Sequence, residues 1–238
     1  MQSEYYLNTK DIKSKMEKEE KEIMPPTWDI ARVRAELTTA FEENSEQKLL
    51  SVLKDNSFLF YELVSHKYGI QPVFREINFG GKLRCDFAWL NDNSDGPEWV
   101  LVEVEKPKMK LFTQKNEPTS ELNHAIEQVK SWERYFDEYP FEKKCIFGAV
   151  ARFRFILIVG DKESWKTDFA SKWRIHNNKK TKIEIRTSYV FLRALKVLEQ
   201  HPEEFWSFAE HPKTMPPSEL EKYWRSYGYI GQWRKIID

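Results

Sequence analysis

The apolar pattern of this chain changes period at Gln71, and that change constrains the fold more than any other feature. The runs "QPVFREINF" (71–79) and "LRCDFAWL" (83–90) are short and β-prone, and only Gly80, Gly81 and Lys82 separate them. That spacing predicts a hairpin. The turn-forming cluster "NDNSDGPE" (91–98) leads into a third run, "WVLVEVE" (99–105). Three strands joined by turn-length links predict an antiparallel meander, which needs other elements to cover its apolar face.

The flanking sequence supplies them. Ile30, Val33, Leu37 and Phe41 fall at helical spacing between Asp29 and Glu43. A second helix is expected over "NSEQKLLSVLKDN" (44–56), capped by Asn44 or Ser45, and a short third over "SFLFYELVSHKYG" (57–69), stopped by Gly69. A loop at 106–120 leads to a long helix from Ser120 to Asp137, with Leu122, Ala125, Ile126, Val129, Trp132 and Phe136 on one side. "CIFGAV" (145–150) and "RFILIVG" (154–160) read as strands, 162–178 as a helix, "KIEIRT" (182–187) as a strand and 188–200 as a helix. Two short helical segments and an aromatic tail end the chain. The order predicts an α/β core with an N-terminal helical cap. Its divisions are a helical arm (1–40), a core (41–200) and a helical, aromatic tail (201–238).

Composition narrows the function. The 38 basic and 38 acidic residues cancel, which argues against a globally basic nucleic-acid binder but leaves room for a local basic groove. Mean hydropathy of −0.69, with no apolar run long enough to span a bilayer, predicts a soluble protein without a membrane partner. The charged N-terminus has no apolar secretory core. Cys85 and Cys145 sit in apolar runs and read as buried free thiols of a cytoplasmic protein. The five histidines are scattered, so no zinc site is indicated.

The chemistry concentrates on the second and third strands. Alternation sets Asp86 on the face opposite Cys85 and Phe87, and puts Glu103 and Glu105 together on one face with Val102 and Val104 on the other. A meander can bring Asp86 beside Glu103. Two carboxylates at close range repel unless a proton or cation lies between them. A hard ion such as Mg²⁺ takes oxygen ligands and keeps several waters. The competing reading is a solvated acidic face with Lys106 as a surface partner. Glu46 is either a first-turn acid favoured by the helix dipole or a further member of the group. Gln128 is either exposed or turned toward the carboxylates, and His124 reads as structural.

These residues carry a resemblance. Asp86 followed by Glu103-x-Glu105 resembles the PD-(D/E)XK nuclease core. More narrowly, the chain is similar to the Shedu anti-phage nucleases over roughly residues 40–198. The matching residues are Cys85-Asp86-Phe87, Val102 to Pro107, Leu111-Phe112-Thr113, Pro118, Glu121-Leu122, Ala125, Gln128-Val129 and Trp132. The resemblance implies a restriction-endonuclease-like core, a mixed sheet flanked by helices. It implies a bacterial endodeoxyribonuclease that cleaves phosphodiesters with a metal-activated water, using Mg²⁺ or Mn²⁺. Asp86, Glu103, Glu105, Lys106, Gln128 and Glu46 become the catalytic candidates, and Asp86, Glu103 and Val104 the metal-binding ones. DNA and further copies of the chain, as a dimer or tetramer, become the expected partners. Glu105 departs from the signature, which has lysine there. Lys106 comes one position late, and alternation would turn it away. A fold that binds nucleic acid or assembles without catalysis is therefore the alternative. Lys106, Lys108, Lys110 and Lys115 could meet phosphates or stay solvated. The tail residues Trp224, Tyr227, Tyr229, Ile230 and Trp233 fit either a subunit interface or packing on the chain's own core.

Overall fold

The meander forms as the period change requires, at the centre of an α/β/α arrangement. A computed structural model describes residues 28–65, 69–81 and 83–237. The charged segment expected at the N-terminus lies outside the described residues up to residue 27.

Helix α1 (Ile30–Glu42) starts at Asp29, whose carboxylate accepts from the Arg32 N–H. Helix α2 (Glu46–Asp55) starts at Ser45, whose hydroxyl accepts from the Lys48 N–H. Asn44 is not its cap. It sits at φ 50°, and its side-chain oxygen accepts from the Lys108 N–H at 2.7 Å, which ties the start of α2 to the lysine-bearing loop.

Strands β1 (Phe74–Asn78), β2 (Arg84–Asn93) and β3 (Gly96–Val104) pair antiparallel in sequence order. Helix α3 (Ser120–Glu138), capped by the Thr119 hydroxyl, and helix α4 (Pro140–Phe147) carry the chain back over the sheet. Strand β4 (Arg152–Ile158) then runs parallel to β3. Helix α5 (Asp168–Lys180) crosses to β5 (Ile183–Arg186), parallel to β4. Helices α6 (Tyr189–Gln200), α7 (Leu220–Ser226) and α8 (Gly228–Ile237) follow. The sheet is mixed, in the order β1-β2-β3-β4-β5.

Alternation along β3 builds a core on each face. Trp99 and Leu101 pack with Leu122, Val129 and Trp132 of α3 and with Trp224 and Ile230 of the tail. Val100, Val102 and Val104 pack with Leu37 of α1, Leu53 of α2 and Phe191 of α6. Among the described residues, no helix is long and apolar enough to cross a membrane.

The structure departs from the sequence reading in several places. "CIFGAV" is not a strand. Pro140 opens α4, and Gly148 ends it at φ 76° in close contact with the Trp224 ring. Only Phe147 of that helix is buried, and Cys145 is exposed rather than buried. In place of the helix expected over "SFLFYELVSHKYG", the described residues of that stretch form a 3₁₀ turn, Ser57–Phe60, with all four of its residues buried. The helix expected from 162 begins only at Asp168, where the Thr167 hydroxyl caps it. Alternation also fails at Cys85, which joins the cluster of Ala88 and Leu90 rather than that of Phe87. On the partner strand Glu76, opposite Asp86, has φ 54° and no partner in the ladder, while the pairs on either side of it keep one register.

Candidate active site

The site forms where β3 leaves the sheet beneath α3. Phe87 pairs with Val102, so the antiparallel register carries Asp86 opposite Glu103. The chain does not simply extend the ladder there. Asp86 Oδ2 accepts the Val104 N–H at 2.9 Å, which fixes the carboxylate against the neighbouring strand. Val104 therefore contributes its main chain to the site, while its side chain lies in the opposite core.

Asp86 and Glu103 are both buried, at 7 % and 8 % exposure. Gln128, from the middle of α3, donates from Nε2 to Glu103 Oε1. Glu103 Oε2 is buried with no partner. An ionised carboxylate in that position is costly, because nothing replaces the water it has lost. The ring nitrogen of Trp132, one turn after Gln128, is likewise buried and unpaired. These four residues line a cavity of about 350 Å³ together with Arg84 and Asn78 of the first hairpin.

A second, more open hollow of about 460 Å³ contains Glu46, Glu105, Lys106, Glu121 and His124. The Glu105 N–H donates to Ile158 O at 2.8 Å, so β3–β4 pairing runs one residue past the strand and keeps Glu105 on the face of Glu103. Beyond it the Met109 N–H bonds back to Lys106 O at 3.3 Å. That turn redirects Lys106 into the hollow beside Glu105, where strict alternation would have sent it away.

Electrostatics link the two spaces. Burial raises Glu103 well above the usual carboxylate range, and the charges of Asp86, Glu105 and Glu46 raise it further. Asp86 is raised by burial and by Glu46, against the lowering effect of the Val104 hydrogen bond. Glu105 is pushed up to about 7 by burial and then by Glu46 and Asp86, with Lys106 opposing. Glu46, in the first turn of α2, acts on all three carboxylates and so belongs to the group. All six catalytic candidates thus line one of these two adjoining spaces. Among the described residues, no three Asp, Glu, His or Cys side chains already converge as a metal cluster. The donor set is nonetheless all oxygen, and Glu103 Oε2 lacks a partner, which fits a hard divalent cation.

Sequence reasoning missed Arg84. It lies two residues before Asp86 and lines the same cavity; the two-residue spacing on a strand was the available signal, although alternation is interrupted between them at Cys85.

No curated protein matches the chain. Residues 43–188 match the family model described as "Shedu protein SduA, C-terminal". The match covers more than half of the 238 residues and includes Glu46, Asp86, Glu103, Glu105, Lys106 and Gln128. On that match, and with these acids gathered at the end of β3, the chain belongs to the Shedu family of anti-phage defence proteins.

Proposed function

We propose that the protein is a divalent-metal-dependent endodeoxyribonuclease. The observation that carries this reading is Glu103: a buried carboxylate, opposite a second one, with an oxygen that has no partner. Asp86 and Glu103 would hold Mg²⁺ or Mn²⁺, with the Val104 main chain beside them. When bound, the ion supplies positive charge to the phosphodiester and acidifies water at its surface.

The chain's own residues do the rest. The Val104 N–H holds Asp86 in place. Gln128 fixes one oxygen of Glu103 and leaves the other without a partner. Glu105, with a pKa of about 7, is suited to take the proton of the attacking water near neutral pH. In the loop after it, exposed Lys106, Lys108 and Lys110 alternate with buried Pro107, Met109 and Leu111. The buried residues anchor the loop, and the lysines face solvent where a DNA backbone would run. Assembly as a dimer or tetramer rests on the family resemblance.

One observation favours a second reading, a catalytically silent DNA-binding protein: Glu105 stands where the signature has lysine. Incubation with supercoiled plasmid and linear duplex in Mg²⁺, Mn²⁺ or EDTA separates the two. Cleavage in either ion and none in EDTA supports the nuclease. Salt-sensitive binding with no cleavage in any condition supports the silent protein.

A further inference from the structure

The acids of this site create a problem for an anionic substrate. Glu46, Asp86, Glu103 and Glu105 act on one another, and a phosphodiester entering the cavity brings another negative charge. A fixed positive group is needed on the cavity side, and Glu105 does not provide one.

Among the described residues, three basic side chains lie near enough to consider. Lys106 is in the other hollow, beside Glu105. Lys54 is occupied by Glu76 at 3.0 Å. Arg84 is the one cationic side chain, among the described residues, that lines the cavity with Asp86, Glu103 and Gln128. Its position follows from the strand: it precedes Asp86 by two residues and pairs with Asn78 at the mouth of the first hairpin. It is loosely held. Its ion pair with Glu76 is 3.8 Å long, on a carboxylate that Lys54 already grips, and its side chain is 51 % exposed.

We propose that Arg84 binds the phosphate group of the substrate in the cavity beside Asp86 and Glu103, and so supplies the positive charge that Glu105 cannot. The guanidinium is planar and cationic, and offers paired donors that match two oxygens of one phosphate. Its field already reaches both buried acids, since it lowers the pKa of each. The weak bond to Glu76 leaves it able to turn to an incoming anion. This inference rests on the nuclease reading for its substrate.

The test uses the full chain, duplex DNA and the variants Arg84→Gln and Arg84→Lys, each checked for native circular dichroism. In EDTA, DNA affinity is measured against salt. Loss of one phosphate contact should make the slope of log K against log salt shallower by about 0.9 in Arg84→Gln and leave it unchanged in Arg84→Lys. In Mn²⁺, the single-turnover cleavage rate of Arg84→Gln should fall by about 10²–10³, the usual effect of removing one donor to developing charge. Arg84→Lys should lie between that value and wild type. A wild-type slope or a wild-type rate in Arg84→Gln overturns the proposal. If wild type binds DNA but cleaves it in neither Mg²⁺ nor Mn²⁺, the nuclease reading fails, and the slope alone still decides whether Arg84 holds a phosphate. A wild-type protein that does not bind DNA overturns both.

Discussion

Glu103 and Glu105 are two residues apart on one strand face, yet their surroundings differ. Glu103 is enclosed and held by Gln128, while Glu105 is half-buried beside Lys106. The division suggests distinct work: Glu103 as a ligand and Glu105 as a base. Glu105→Gln should lower the cleavage rate by about 10²–10⁴, the span typical of a lost general base, with little change in divalent-ion affinity. A rate equal to wild type in that variant would make Glu105 a mere neighbour. Gln128→Ala should act differently, by freeing Glu103 to reorient, and should weaken Mn²⁺ binding measured by calorimetry. At this scale the sequence was informative wherever alternation held. Asp86, Glu103 and Glu105 follow from a period of two. That Gln128 reaches Glu103 could not be read, because it depends on how α3 lies across the sheet. Nor could the placing of exposed Lys106 at the open hollow of Glu105, which depends on the bend at Pro107.

Elements rather than single residues set the electrostatics of the site. The first turn of α2 brings Glu46, the start of β2 brings Asp86, and the end of β3 with the residue after it brings the other two acids. Without a cation their ionisation opposes folding. Glu105, with an ordinary value of 4.5, is raised to about 7, and Asp86 and Glu103 are shifted in the same direction. A carboxyl raised on folding stabilises the native state below its unfolded value and loses that contribution as the pH rises through its folded value. The thermal midpoint of metal-free protein should therefore fall between pH 5 and pH 8. Paired acids such as Glu76 and Glu98 are shifted downward, so their effects belong to lower pH. Adding Mg²⁺ or Mn²⁺ at pH 8 should restore the midpoint by binding the native state alone. Glu103→Gln should flatten the pH dependence. A midpoint that is flat from pH 5 to 8 and indifferent to Mn²⁺ would contradict this picture. Element type was legible where periodicity was long, as in α3 and α6. It failed at "CIFGAV", where an apolar run of six cannot by itself distinguish a buried strand from a helix end followed by a corner.

Across the whole molecule, the tail closes the fold that holds the site. Trp224 and Ile230 are buried in the core beneath α3, and Tyr227 donates to Asp92 at 2.6 Å on the β2–β3 hairpin. The aromatic residues that fit either an interface or a core thus pack against the chain's own sheet. Composition could not separate the two, because interfaces and cores use the same side chains. Trp224→Ala should cost about 3–5 kcal/mol in urea unfolding. A loss of subunits at unchanged stability would return the tail to an interface role. The central claim is that the acids at the end of β3 exist to bind a catalytic cation. The most direct measurement compares cleavage of duplex DNA in Mn²⁺ by wild type, Asp86→Ala and Glu103→Ala, with folding verified by circular dichroism. Cleavage by wild type that both substitutions abolish, with the fold intact, is the result expected; full activity in either variant would contradict the claim.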